Sequence, residues 1–306
     1  MRLTKQKTSF GRHETFPLRY GWLSKGVEIT ARHPRIFSEQ QHEQAMIALG
    51  LGRNMLNALH YWLQATHLVV FQEGVGEVTP LGKTLLGAEG DPYLEDEATL
   101  WIMHWLIASN AELATGFFWF FNHYAVPRFR EQDAFQTFCD FVEKELGLKR
   151  SVSTLKSDFS TLLRMYAPAA SRGGEEHLDS PLASLGLIEL NEVEGYNSLR
   201  STRPFLPPIA LHFALQQRFD AQKAEYAHEP AIPTRELLYG GSGWAAPGAI
   251  FRLNEEGLMA NLQRMIEHYP HHYELRETAG LNQLYCLTSK HHTELLLSDY
   301  YLGRVA

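Results

Sequence analysis

Apolar residues recur at helical spacing along most of this chain, and the clearest stripe lies between residues 53 and 66. Met55, Leu59, Trp62, Leu63 and Thr66 fall on one side of a helix. Arg53, Asn57, Tyr61 and Gln64 fall on the other, and all four can hydrogen-bond base edges or phosphates. A shorter helical run, Gln41–Leu49, precedes this stripe, and Gly50-Leu51-Gly52 breaks the two apart as glycines do at tight turns. Leu68–Phe71 and Glu77–Thr79 read as short strands around Gly74 and Gly76. The pattern predicts a helix-turn-helix running into a wing, with an earlier helix from Thr15 as N-cap, through Pro17, Trp22 and Val27, to Arg32. Pro34 would stop that helix, and Thr79–Leu86 would close the module.

Further along, Asp91-Pro92 begins a turn and Asp96 can cap a helix over Ala98–Ser109. Leu113–Tyr124 follows. This pair carries Trp101, Trp105, Phe117, Phe118, Trp119, Phe120, Phe121 and Tyr124, which reads most simply as core; a base-stacking platform is the alternative. Gln132–Leu146, ended by Gly147, and Ser151–Tyr166 form a second helix-turn-helix-like pair. Ala167–Asp179 has linker composition. Beyond it the pattern predicts a helical turn and strands over Pro181–Leu190 and Tyr196–Arg203, then a helix over Ile209–Gln222. After a second linker, Glu229–Pro233, come a short helix at Arg235–Tyr239, a glycine-rich loop at Gly240–Gly248 and a helix over Asn254–Tyr269. A hairpin of Tyr273–Arg276 with Gln283–Leu287 and a closing helix over His292–Tyr301 complete the chain. The glycine-rich loop lacks the Lys-Ser/Thr pair of a phosphate-binding P-loop.

The expected fold class is therefore mainly α with small β-hairpin wings, organised as tandem winged-helix-like modules. The domain reading is a basic arm at 1–12, an N-terminal winged-helix DNA-binding domain at 13–88, a helical aromatic-rich region at 89–170 and a C-terminal α+β domain at 171–306.

Composition changes this picture in one respect. The net charge of −7 excludes a uniformly basic nucleic-acid binder, but the charge is uneven. Met1–Gly26 carries six Lys/Arg against Glu14 alone, and no acid occurs from Gln44 to Gln72. Lys149, Arg150 and Lys156 border the hydroxyl-rich start of the Ser151 helix, where Thr154 also lies. That start is a ready phosphate site, or a capped helix end with solvated charge. The apolar run at Ala98–Ala111 is too short to span a bilayer. Cys139 and Cys286 have no metal-ligand spacing. A cytoplasmic location with no membrane association is expected.

Three polar groups could carry chemistry. Asp91 and Glu95 are four apart and would share a face if their turn is helical, offering two carboxylates to Mg2+ or Mn2+; the alternative is an acidic first turn complementing the helix dipole. His13-Glu14, between Arg12 and Arg19, offers a base beside a phosphate clamp, or a buried polar bracket. Glu277, Thr278 and Gln283 form the third and read as structural. None of the common nuclease or zinc-hydrolase motifs is present.

The segments HETFPLRYGWL (13–23), LGLGRNM and YWL (49–63), VTPLGK (78–83), DPYLEDEATLWIMHW (91–105) and TAGLNQLY (278–285) occur in order across nearly the whole chain. Together they resemble the SspB-like family of bacterial single-stranded DNA phosphorothioation systems, first catalogued as a domain of unknown function. The resemblance implies DNA binding and nicking that admits sulfur into the backbone, as part of antiphage defence. It also implies cysteine desulfurase and PAPS-reductase-like sulfurtransferase partners. Rival readings are a non-enzymatic winged-helix adaptor that recruits those partners and a transcriptional regulator.

Overall fold

The helix predicted to start at Thr15 does not form there: residues 16–20 are irregular, after left-handed Glu14 (φ 48°) and Thr15 (φ 66°). In a computed structural model, which describes residues 1–167, 180–191, 195–223, 231–239, 243–278, 280–287 and 293–305, α1 runs instead over Trp22–Arg32. It begins after Gly21, a left-handed glycine at φ 73°. α2 (His42–Leu49) ends at left-handed Gly50, and α3 (Arg53–Ala65) follows Gly52. α1 packs on α3 through Gly26, where an added Cβ would lie 2.8 Å from Leu63. β1 (Val69–Gln72) and β2 (Val75–Val78) pair antiparallel across Glu73-Gly74. Both turn residues have positive φ, 50° and 74°, as a type I′ turn requires. α4 (Pro80–Leu86) is capped by Thr79, whose hydroxyl accepts the Gly82 N–H at 3.0 Å.

Asp96 caps α5 (Glu97–Ala108) by accepting the Ala98 N–H at 2.9 Å. From Ala98 to Ala108 α5 is buried on every side, and α6 (Thr115–Asn122) is buried from Thr115 to Phe121. The aromatic rings of this pair are core, each worth about 1.5–3 kcal/mol relative to exposure, and they offer no stacking platform. His104, inside α5, donates from Nε2 to the Ile250 carbonyl at 2.8 Å, and its Nδ1 accepts the Tyr166 hydroxyl at 2.7 Å. Burial holds its pKa down at about 3, so it is neutral. At the C-terminal end of α6, the buried Arg252 guanidinium donates to the carbonyls of Phe120 and Tyr124 and to Ser198 Oγ. Burial, with Arg200 and Arg203 nearby, lowers its pKa to about 9, still high enough to keep it charged at neutral pH.

The second helix pair is α7 (Glu131–Asp140), extended by a wide turn at Phe141–Glu145, and α8 (Val152–Tyr166). Gly147 at φ 67° ends the first of these, as its position predicts. β3 (Arg128–Phe129), β4 (Glu189–Asn191) and β5 (Gly195–Asn197) form a small antiparallel sheet in the order β3-β5-β4. The expected strand Tyr196–Arg203 stops at Asn197, and 198–207 is loop. α9 (Pro208–Lys223) comes next. Ala231–Pro233, read as linker, is the edge strand β6; there Pro233 meets no second neighbour that would need its missing N–H. α10 (Thr234–Tyr239), α11 (Pro247–Ile250) and α12 (Glu255–His268) lead to β7 (Tyr273–Thr278) and β8 (Leu281–Cys286). These two strands form the predicted hairpin, and β8 is the centre of the sheet β6-β8-β7. α13 (Thr293–Val305) closes the chain. Most of the first predicted linker, the start of the second, Gly240–Ser242 and His292 lie outside the described residues.

The architecture is mainly α with small antiparallel sheets. Buried hydrophobic side chains from Leu18 to Tyr301 form one contiguous cluster centred on α5, α6 and α9. Among the described residues no helix is long and apolar enough to cross a membrane.

Candidate nucleic-acid interface

The segment before α1 is an extended strap stitched across α6, α8 and α3. Ser9 N–H donates to Thr115 Oγ1 at 2.9 Å. Two residues on, the Gly11 N–H donates to Asp158 Oδ1 at 2.7 Å. His13 Nε2 meets the same oxygen at 2.6 Å, and its Nδ1 accepts the Thr15 N–H at 3.2 Å. Because Nδ1 is an acceptor, the ring proton sits on Nε2 and points at Asp158. The imidazole stacks on Trp62 with centroids 6.1 Å apart, and Trp62 Nε1 donates to the Phe16 carbonyl. Arg164 donates to the Thr15 carbonyl, fixing the two left-handed residues, each of which costs roughly 1–2 kcal/mol if unsupported.

This arrangement decides the fate of His13-Glu14. His13 is 1% exposed with both ring nitrogens occupied, so it is the polar bracket that pins the strap, and it is not placed as a general base. Glu14 is exposed on the strap. Arg19 lies against the rings of Phe16 and Trp22, at 5.8 and 5.7 Å.

Asp91 and Glu95 are likewise redirected. Their segment is an irregular turn before α5, so four-residue spacing does not place them on one helical face. Asp91 is buried, and its two oxygens accept the N–H groups of Glu95 and Asp96, each at 2.9 Å. Glu95 is exposed. Among the described residues, no group of three or more His, Cys, Asp or Glu side chains is placed to hold a metal ion. Asp91 and Glu95 therefore do not share the helical face that the spacing suggested. Glu277 and Gln283 sit in the β7–β8 hairpin, with Gln283 accepting the Tyr285 hydroxyl; the Thr278 side chain lies outside the described residues.

The two predicted DNA-reading helices differ sharply. On α3, Arg53 is exposed and Asn57 half-buried. Tyr61 is 5% exposed and donates its hydroxyl to the Leu113 carbonyl at 2.9 Å, which corrects its assignment as a DNA contact. Burial first, then the field of Asp158, raises its pKa well above 10, so it remains a donor. Gln64 is half-buried, bonded back to the His60 carbonyl. Next to it, His60 is wedged between Phe37 and Phe71, and burial with the nearby Arg12 and His42 lowers its pKa to about 4.

α8 keeps its charged end open. Ser151 caps it, accepting the Thr154 N–H at 3.1 Å, and the two hydroxyls lie 2.7 Å apart. Thr154 packs its methyl where a Gly11 Cβ would be, so the strap crosses directly over this helix start. Lys149, Arg150, Lys156 and Arg164 are exposed, as is Arg12 on the strap. Lys156, Ser160 and Arg164 recur every fourth residue and share one face. Arg150 covers the Phe10 ring at 5.9 Å, and Arg164 reaches Thr15, so strap and helix present their cations together. Asp158, the sole acid of α8, is buried beneath the strap. Sequence reasoning placed Arg12 beside His13-Glu14 as part of a phosphate clamp and did not single out Arg164, at the far end of the helix. The two four-residue steps from Lys156 through Ser160 to Arg164 were the available signal.

A search of curated protein sequences gives no match. Two solved structures match across 98% of this chain and 89% of their own. One is described as the magnesium ion-bound SspB crystal structure, with TM-score 0.82 and 26% identity; the other, as the SspB crystal structure, with TM-score 0.80 and 25% identity. The chain is thus similar to SspB over its whole described length, as the ordered sequence segments imply. The family model for a protein of unknown function, DUF4007, matches residues 10–301, and the chain belongs to that family.

Proposed function

We propose that this chain is a DNA-engaging component of a bacterial DNA phosphorothioation system, with the strap and the start of α8 as its main phosphate-binding surface. The observation that carries the reading is local charge. Arg12, Lys149, Arg150, Lys156 and Arg164 are exposed around one joint, while Asp158, the acid of α8 beneath it, is buried and spent on Gly11 and His13. Exposed cations that outnumber the one exposed acid of the strap, Glu14, attract a polyanion even when the whole chain carries −7. Thr154 supports the site by holding the strap. Arg53 and Asn57, at the open end of α3, form a second and smaller contact. The similarity to SspB brings the phosphorothioation context, with a cysteine desulfurase and a PAPS-reductase-like sulfurtransferase as the partners to test.

The winged-helix reading is part of this proposal. The order α1, α2, α3, β1, β2 matches the motif, with the β1–β2 hairpin as its wing. Metal-dependent nicking, with Mg2+ or Mn2+, is the second reading, and the magnesium ion in the SspB neighbour favours it. Among the described residues no group of three or more His, Cys, Asp or Glu side chains gathers to hold that ion, and no hydrolytic step is derived through it.

Fluorescence anisotropy with labelled oligonucleotides tests DNA engagement. The account expects binding at low salt with log K falling steeply as log salt rises, and no binding at about 50 mM salt would reject it. A supercoiled-plasmid assay with Mg2+, Mn2+ or EDTA then separates nickase from adaptor. Metal-dependent open circles identify an enzyme, whereas shifted but intact plasmid identifies an adaptor.

A further inference from the structure

Of the seventeen phenylalanines, every one except Phe205 is buried or half-buried; Phe205 is 85% exposed. It tips the loop between β5 and α9, and that loop is held by side chains from α12. Asn261 donates to the carbonyls of Thr202, at 2.9 Å, and Arg203, at 3.4 Å. Arg264 donates to the carbonyls of Pro204 and Leu206, one on each side of Phe205, and to Asn261 Oδ1. The Leu206 N–H closes a turn onto the Arg203 carbonyl at 3.1 Å, and Arg203 is left-handed at φ 44°. Gly257 lets the loop lie directly on α12, since a Cβ there would come within 2.6 Å of the Thr202 backbone. Side-chain bonds to four carbonyls, those of Thr202, Arg203, Pro204 and Leu206, hold the loop around one bare aromatic ring before anything binds, so little ordering entropy remains to be lost on contact.

The surroundings indicate what the ring meets. Arg264, bonded to the carbonyls on either side of Phe205, and Arg203, two residues before it, donate to backbone carbonyls, and neither has a carboxylate ion-pair partner among the described residues. Glu189 is the acid whose field reaches Arg203. A hydrophobic protein pocket would have to accept the ring together with these charges. A nucleic acid supplies what both features want, a π-face for the ring and phosphates for the guanidinium groups.

We infer that Phe205 is a stacking post for a nucleobase left unpaired in the bound DNA. The inference rests on the DNA-engaging reading above. Only an unstacked base offers a whole face to a ring standing on a rigid loop, so the chemical class is single-stranded or locally opened DNA. Phe205 would sort that form from closed duplex, while the strap and α8 bind phosphates in either.

Phe205→Ala and Phe205→Trp test this in the full chain. Both changes lie on the surface, and unchanged thermal melts would confirm intact folding. Phe205→Ala is expected to weaken binding to a single-stranded oligonucleotide about tenfold, with duplex affinity unaltered. Its salt slope is expected to match the parent's, because no phosphate contact is lost. Phe205→Trp is expected to keep single-strand affinity and to show tryptophan emission quenched by that oligonucleotide and not by closed duplex. The stacking post is overturned if the parent binds DNA but neither variant changes affinity and the new tryptophan is not quenched. Equal quenching by closed duplex overturns the selectivity for unpaired bases, and emission that shifts only with protein concentration reassigns the ring to self-association. A parent that binds no DNA fails the DNA-engaging reading itself, which the anisotropy assay detects separately.

Discussion

α3 and α8 carry the same sequence credentials and end in different places. Each follows a glycine-containing break, each has an apolar stripe, and each sets polar or basic residues on the opposite side. Other parts of the chain cover most of α3. The loop before α6 takes the Tyr61 hydroxyl, and Phe37 with Phe71 encloses His60, leaving Arg53 and Asn54 as its exposed start. α8 packs its apolar side on α6, α7 and the turn at Pro181–Leu185, while the strap that crosses its start uses up Asp158 and leaves the cations outside. A polar face on a helix is thus an offer of exposure, and the rest of the chain decides whether it is kept. Tyr61 shows why the pattern misleads: a phenol serves equally well as a surface donor or as a buried one with a single partner.

The comparison can be broken at the strap first. Asp158→Ala leaves the His13 Nε2–H and the Gly11 N–H without their acceptor in a buried setting. It is expected to cost about 3 kcal/mol of stability, read as a lower urea midpoint, with faster proteolysis before α1. A midpoint unchanged from the parent would mean that the strap is not held as described.

The next largest effect sharpens the contrast along α3. Arg53→Ala with Asn57→Ala is expected to weaken DNA binding about tenfold, since such contacts are worth roughly 1–3 kcal/mol each. By contrast, Tyr61→Phe is expected to leave DNA affinity unchanged and to cost about 1 kcal/mol of stability for the lost bond to Leu113. A Tyr61→Phe variant that binds DNA poorly but melts normally would restore Tyr61 as a reader.

Helices, the wing-like hairpin, the Asp96 and Ser151 caps and the buried aromatic pair were all legible, because periodicity and capping are local signals. The first helix start was not. Thr15 and Pro17 form a sound local capping pattern, but the strap's attachments to α8 hold Glu14 and Thr15 left-handed, and those partners lie far along the chain. The Asp91 carboxylate misled for a related reason. Its acid cluster is evident, yet only the fold shows both oxygens taken by backbone N–H groups. Charge alone singles out Lys149, Arg150 and Lys156 as candidates, whereas Phe205 sits in a stretch whose proline-rich neighbours conceal its rigidity.

The most direct test of the central claim is the salt dependence of DNA binding for Lys149→Glu/Lys156→Glu against the parent. If the start of α8 is the phosphate surface, the slope of log K against log salt should flatten by about 1.5, and low-salt affinity should fall about a hundredfold with folding intact. An unaltered slope would place the phosphates elsewhere and contradict the account.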